Sequence, residues 1–154
     1  MPITGPDIRC MNLVDAGVEN PPLPIVLVVA AALLDIDNRV LLQLRPAGKP
    51  MAGLWEFPGG KVKESESPEM ALIRELKEEL DIDVTTSCLA PVTFTSYRYD
   101  DFHLLMPIYA CRVWIGNPKP IECERLKWVR PEKMKDLAMP PADLPLIPLL
   151  RDFL

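Results

Sequence analysis

Histidine is almost absent from this chain: His103 is the single one in 154 residues. It lies in an apolar-rich segment with no nucleophile-and-base pairing visible around it, and it reads as structural. The four cysteines, Cys10, Cys88, Cys111 and Cys123, form no CxxC pair and have no second histidine to join, which argues for free thiols and against a zinc site. Positive charge is in the minority: 17 Lys and Arg against 22 Asp and Glu give a net charge of −5. A broad basic surface for polymeric DNA, RNA or an anionic membrane is therefore not expected, and an anionic ligand needs a local positive feature or a metal. Long apolar runs are missing too. The longest, Ile25 to Leu34, has ten residues, too few to span a bilayer as a helix. The segment before it carries Asp7, Asp15 and Glu19 in place of a basic start, so no signal peptide is expected and a cytoplasmic location is. No internal repeat is visible.

What is present fits a soluble globular protein, with 49% apolar and 25% charged residues in a length suited to one domain. Residues 1–24 hold five prolines and no sustained periodicity, which predicts a loosely ordered extension ahead of a single domain over 25–154. Ile25 to Leu34 and Val40 to Leu44, joined by Asp35-Ile36-Asp37-Asn38, read as a hairpin. Arg45 to Gly53 reads as a loop, and Leu54 to Phe57 as a short strand that stops at Pro58-Gly59-Gly60. Ser67-Pro68-Glu69 is a helix start, with Ser as N-cap, Pro in the first turn and an acid where the helix dipole favours it. Ala71, Leu72, Leu76 and Leu80 give that helix its apolar stripe. Strands follow over Val92 to Tyr99, Phe102 to Ile115 and Leu126 to Val129, then a helical turn or two at Pro131 to Leu137. A last helix over Leu144 to Leu154 is interrupted by Pro148. This order gives an α+β class with a mixed sheet flanked by helices.

The charge is concentrated. Between Glu64 and Asp83 eight acidic residues face two basic ones, a local net of −6 that leaves the rest of the chain nearly neutral. Glu75, Glu78 and Glu79 sit three and four apart, so they share one helix face opposite the leucines. A solvated face is one reading, since like charges at i and i+4 cost only about 0.2 to 0.5 kcal/mol. The other is a cation site, because hard divalent cations take oxygen ligands and Mg²⁺ accepts a few carboxylates along with waters and substrate phosphates.

Gly60, Glu66 and Arg74-Glu75-Leu76-Lys77-Glu78-Glu79-Leu80-Asp81-Ile82 carry a resemblance to the Nudix box, GX5EX7REUXEEXGU with U aliphatic. One fixed position departs: Asp81 stands where the box has Gly. The resemblance covers roughly Ile25 to Leu154 and implies an α/β/α sandwich around a mixed sheet. It also implies Mg²⁺- or Mn²⁺-dependent hydrolysis of a nucleoside diphosphate linked to another group. It assigns Glu78 and Glu79 as metal ligands with a carbonyl of Gly59 or Gly60, Glu75 as a ligand or the base that activates water, Arg74 as the orienting cation, and Glu66 as the group that holds Arg74. Asp81 concerns helix termination, where a left-handed residue is wanted.

Arg45-Pro46, Gly48-Lys49 and the run Gly53-Leu54-Trp55-Glu56-Phe57-Pro58-Gly59-Gly60-Lys61 resemble the MutT-type branch, the nucleoside triphosphate pyrophosphohydrolases. Arg45 and Lys61 would meet phosphates, and Glu122 falls where relatives place a further metal-binding glutamate. Asp143 takes the position at which such enzymes present an Asn or Asp to the base, with a helix N-cap as its competing role. Phe57 and Trp55 would wall the base pocket or pack in the core. The resemblance implies 8-oxo-dGTP as leading substrate and CTP-like pyrimidine triphosphates as the second. ADP-ribose or a dinucleoside polyphosphate is a rival within the family, and a non-catalytic nucleotide-binding module a rival outside enzymes. The only partner expected is the small nucleotide, and monomer and homodimer both stay open. Tyr97, Tyr99, Phe102 and Trp114 read as sheet or core residues.

Overall fold

A computed structural model describes residues 22–154, so most of the segment read as an N-terminal extension lies outside the described residues. Nine-residue β1 (Ile25–Leu33) is apolar along its whole length because both its faces are covered. Side chains alternate across a strand. Val29, Ala31 and Leu33 therefore join one core with Ala71, Leu72, Leu76 and Leu80 of helix α1 (Pro68–Leu80). Ala30 and Ala32 join the other, which includes Leu146 and Leu150 of helix α2 (Leu146–Phe153) and Met134 of a 3-10 helix at Pro131–Asp136. This is the helix, sheet, helix layering that the sequence leads one to expect.

The strands form two sheets. β2 (Val40–Leu44), β3 (Trp55–Glu56), β4 (Gly59–Lys61), β5 (Ala90–Arg98), β6 (His103–Cys111) and β7 (Arg125–Val129) complete the set. The larger sheet runs β4-β1-β6-β5, with β1 and β6 parallel, and the smaller runs β3-β2-β7. The expected hairpin of Ile25 to Leu34 with Val40 to Leu44 needs correction. Its turn exists, with Asn38 left-handed and the Asp35 carboxylate accepting from the Asp37 and Arg39 amides. The strands part after a single Leu34–Val40 bridge, because both edges of β1 are taken by β4 and β6 and both edges of β2 by β3 and β7.

The short strand expected over Leu54 to Phe57 does stop before Pro58, but Gly59-Gly60 then opens a strand of its own with Lys61, paired antiparallel with Val28 to Ala30. A Cβ at Gly59 would collide with the Val29 carbonyl and the Ala30 Cα, so only glycine permits this approach. Pro148 does not interrupt α2. It is the third residue of that helix, where a backbone N–H has no intrahelical partner to lose. The strand expected to reach Ile115 stops at Cys111, and Ile115 makes only an isolated bridge to Asp83. No helix among the described residues is long and apolar enough to cross a membrane.

Helix α1 is capped as its sequence indicates: the Ser67 hydroxyl accepts from the Met70 amide. At the other end Asp81 is left-handed (φ 56, ψ 43), and its carboxylate meets Lys77 Nζ at 2.9 Å and Lys119 Nζ at 3.5 Å. The segment carrying Lys119 also caps carbonyls of the last turn, Lys119 N donating to Leu80 O and Ile121 N to Glu79 O, which fixes the chain just before Glu122. Glycine at position 81 would relieve left-handed strain, and it would lose only exposed, solvent-screened ion pairs. Asp81→Gly is thus expected to melt within a few degrees of the parent with unchanged turnover. Asp81→Val, β-branched in the same conformation, is expected to lose roughly 1–2 kcal/mol in urea titration.

Candidate active site

α1 lies against β4 and β1, and its acidic face meets the glycine strand. Arg74 organises that face. Its Nε and Nη2 donate to the two oxygens of Glu66 at 2.8 and 2.9 Å, its Nη1 donates to Glu75 at 2.9 Å and Glu78 at 3.3 Å, and Nη2 also reaches the Lys61 carbonyl at 3.1 Å. One guanidinium thus holds three carboxylates and the β4 backbone. Glu66, which also accepts from the Lys63 amide, is pulled down to about 2 by the Arg74 hydrogen bonds. Arg74 in turn is held charged by the same pair.

Glu79 is held differently. Its Oε2 accepts from the Gly59 amide at 3.1 Å and from Gln43 Nε2 at 3.3 Å. Burial, with the nearby charges of Glu75 and Glu56 adding to it, pushes its carboxyl up to about 8. Burial also raises Glu75 against the pull of Arg74. Glu78 is the most exposed of the three. Gly60 leaves the room Glu75 occupies, since a Cβ there would collide with the Glu75 carboxyl group.

Glu75, Glu79, Gly59, Gly60 and Lys61 all border a cavity of about 510 Å³. Phe57, Asp143, Tyr99 and Phe102 border it too, and the Tyr99 and Phe102 rings stack with centroids 4.9 Å apart. Asp143 is 5% exposed, and burial, joined by the Glu56 charge, lifts its carboxyl to about 7 while the Phe57 amide opposes the shift. Asp143 is not the N-cap of α2; Pro145 occupies that position without a side-chain bond. A smaller cavity of about 100 Å³ is bordered by Gln43, Arg45, Lys49, Glu56, Glu79 and Glu122. Arg45 is bound to Glu56 at 3.0 Å, so it is a paired cation where the sequence suggests a free one. Lys61 carries no ion pair among the described residues. Trp55 does not border the large cavity; it lies beneath Arg125 and Lys127, 5.8 and 5.7 Å from its ring centre.

The family model of the NUDIX domain matches residues 29–149. The chain belongs to the Nudix family. A CTP pyrophosphohydrolase of Escherichia coli is 37% identical over 121 residues, 77% of this chain and 87% of that protein. An 8-oxo-dGTP diphosphatase of Proteus vulgaris is 38% identical over 87 residues, 56% of this chain and 76% of that protein. Among solved structures, that of the E. coli ORF135 protein superposes with a TM-score of 0.75 at 33% identity, covering 87% of this chain and 95% of that one.

Nudix hydrolases work with divalent cations. Among the described residues no three His, Cys, Asp or Glu side chains are gathered tightly enough to hold an ion as they stand; Arg74, Gln43 and Gly59 hydrogen-bond to oxygens of Glu75, Glu78 and Glu79. The donor chemistry nevertheless fits a hard cation: oxygen ligands only, two of them half-buried with raised proton affinity, and a glycine cradle shaped around Glu75. The Gly59 contact in view is its amide on Glu79, not its carbonyl. The sequence reading missed Tyr99 and Phe102 as cavity walls, and it missed Gln43 and Glu56. Gln43 had a signal, as the one polar residue in Val-Leu-Leu-Gln-Leu.

Two outcomes follow. Gly60→Ala is expected to fold while losing on the order of a hundredfold in turnover, because the methyl group moves Glu75 by a fraction of its own length; Gly59→Ala meets backbone instead and is expected to lower the melting temperature. Stability of the metal-free protein is expected to fall as pH rises. The unfolded Asp143 carboxyl releases its proton near 3.8 and the folded one near 7, so the stabilisation present below the lower value is lost through the higher. Glu79 acts with the same sign up to about 8. Urea midpoints from pH 4 to 8 should slope downward in the parent and less so in Asp143→Asn.

Proposed function

We propose that this Nudix protein is a cytoplasmic Mg²⁺-dependent nucleoside triphosphate pyrophosphohydrolase, with Mn²⁺ as a possible substitute, that releases nucleoside monophosphate and pyrophosphate. The observation that carries the reading is the opening of the Glu75 and Glu79 carboxylates into one cavity with Lys61, the stacked Tyr99–Phe102 pair and the buried Asp143. Glu75, Glu78, Glu79, Glu122 and the Gly59 carbonyl are the groups that would hold the cation. When bound it would offset phosphate charge and make water more acidic. Lys61 supplies a mobile positive charge for the phosphates. Arg45, bound to Glu56, shapes the wall and offers its remaining N–H groups. Glu75, half-buried and turned by Arg74, would take the proton of the attacking water, and Arg74 would keep its orientation.

The base would meet Phe57, the aromatic pair and Asp143. An ionised Asp143 only accepts hydrogen bonds, which suits the N4 amine of cytosine or the N1–H and N2 amine of a guanine; a protonated one also donates. Burial raises the Asp143 carboxyl to about 7, so both forms are accessible near neutrality. 8-oxo-dGTP is the leading substrate. A CTP-like pyrimidine triphosphate is the second reading, favoured by similarity to a CTP pyrophosphohydrolase.

Pyrophosphate release from 8-oxo-dGTP, dCTP, 5-substituted dCTP and ADP-ribose with Mg²⁺ decides among these. Preference for ADP-ribose over every triphosphate would overturn the reading. Glu79→Gln is expected to lose more than a hundredfold in kcat while melting, metal-free, no lower than the parent, because an amide replaces a buried acid. Full turnover in that variant would refute the site.

A further inference from the structure

β2 is buried on both faces, and Val40, Leu41, Leu42 and Leu44 fill it with aliphatic side chains. Gln43, 4% exposed, is the exception. A buried amide is costly unless its donors and acceptor are all met, and this one is met by half. Nε2 donates to Glu79 Oε2, whereas Oε1 has no partner among the described residues. Gln43 borders the cavity of about 100 Å³ that also touches Glu79 and Glu122. Arg45 borders it as well, and its Nε is likewise buried and without a partner. An unmet acceptor and an unmet donor thus belong to residues around one space large enough for a few water molecules.

The walls restrict what can satisfy Oε1. Glu56, Glu79 and Glu122 when ionised only accept hydrogen bonds. Arg45 Nη1 is committed to Glu56. Lys49 and Cys123 also border the space, but neither bonds to Oε1, and the Cys123 thiol donates to the Arg125 carbonyl. A water molecule is a donor of suitable size for the space, and water polarised by a cation is a stronger donor than bulk water. The amide's direction agrees with this, since a cation-binding Glu79 is an acceptor and requires the NH₂ end of Gln43 to face it.

We propose that Gln43 is a positioning residue for the cation site. Its amide nitrogen, together with the Gly59 N–H, fixes the Glu79 carboxylate, and its carbonyl oxygen accepts a hydrogen bond from a water molecule bound to the cation that Glu79 and Glu122 hold. This rests on the reading of Glu79 and Glu122 as cation ligands. The role acts through another residue and through a water, and Gln43 itself does not contact substrate.

The test uses the full chain, without nucleotide for the binding and melting measurements and with nucleoside triphosphate added for turnover. Mn²⁺ binding is read by electron paramagnetic resonance of the free ion for the parent and for Gln43→Met, which keeps the length of the side chain in an apolar strand. Thermal melts without metal accompany it. The expected result is a Mn²⁺ dissociation constant raised about tenfold or more, a metal-free melting temperature unchanged or higher, and turnover largely recovered at saturating Mn²⁺. A dissociation constant within twofold of the parent overturns the proposal. So does a Gln43→Met chain that is unfolded or destabilised with unchanged Mn²⁺ affinity, since that assigns the amide a structural role alone. A parent chain that binds no Mn²⁺ would instead sink the underlying cation reading, which separates the two failures.

Discussion

The Arg74 guanidinium is the contact on which the acidic face depends. Eight acids within twenty residues would repel one another, and helical spacing would bring three of them together on one side. Arg74 turns that repulsion into geometry. Its fork engages both oxygens of Glu66, its third nitrogen engages Glu75 and Glu78, and it still reaches the Lys61 carbonyl of β4. A lysine at the same place offers a point charge and no fork. Because Glu66 lies before α1 and Lys61 lies in β4, the one side chain also fixes the helix against the strand whose glycines approach it.

That approach is the second constraint. Gly59 sits against the Val29 carbonyl and Gly60 against the Glu75 carboxyl group, so neither position tolerates a Cβ without displacement. β4 can pair with β1 only because of the first, and Glu75 can turn toward the cavity only because of the second. The apolar β1 then serves both sides, with its odd-numbered residues under α1 and its even-numbered ones under α2. The acidic helix and the loop bearing Asp143 therefore lie on opposite faces of one strand, and the cavity draws on both.

What the sequence made legible was local. Helix periodicity alone placed Glu75, Glu78 and Glu79 on one face, Ser67 and Pro68 marked the helix start, and Asp81 was readable as a left-handed terminus because the box asks for glycine there. The features it left unread depend on distant pairing. Ile25 to Leu34 and Val40 to Leu44 look like a hairpin until both edges of each strand are known to be taken. Tyr99 and Phe102 flank an ordinary acidic turn, and only the parallel pairing of β1 with β6 carries them to the cavity. Arg45 looks like a free cation until β2 and β3 pair and set Glu56 beside it. Gln43 was locally odd, yet its meaning needed Glu79, thirty-six positions away.

The balance of charge around the cavities says how such a site has to be filled. Glu75, Glu79, Glu122 and Asp143 border them, while Arg45 is neutralised by Glu56, which leaves Lys49 and Lys61 as the unmatched cations. In the metal-free fold burial first, and neighbouring carboxylates second, raise the proton affinity of Glu75, Glu79 and Asp143, so protons relieve part of this excess. On the proposed reading a divalent cation would relieve it at Glu75 and Glu79 by displacing protons, so that cation affinity would rise with pH and binding would release protons. Asp143 is not among the groups proposed to hold it, so that carboxyl would keep its own titration. A triphosphate brings further negative charge to the acidic end and cannot be held there by two lysines against that many carboxylates. On the proposed reading nucleotide and cation would therefore enter as partners, the cation neutralising both sides at once, while the proton on Asp143 would adjust independently to the base.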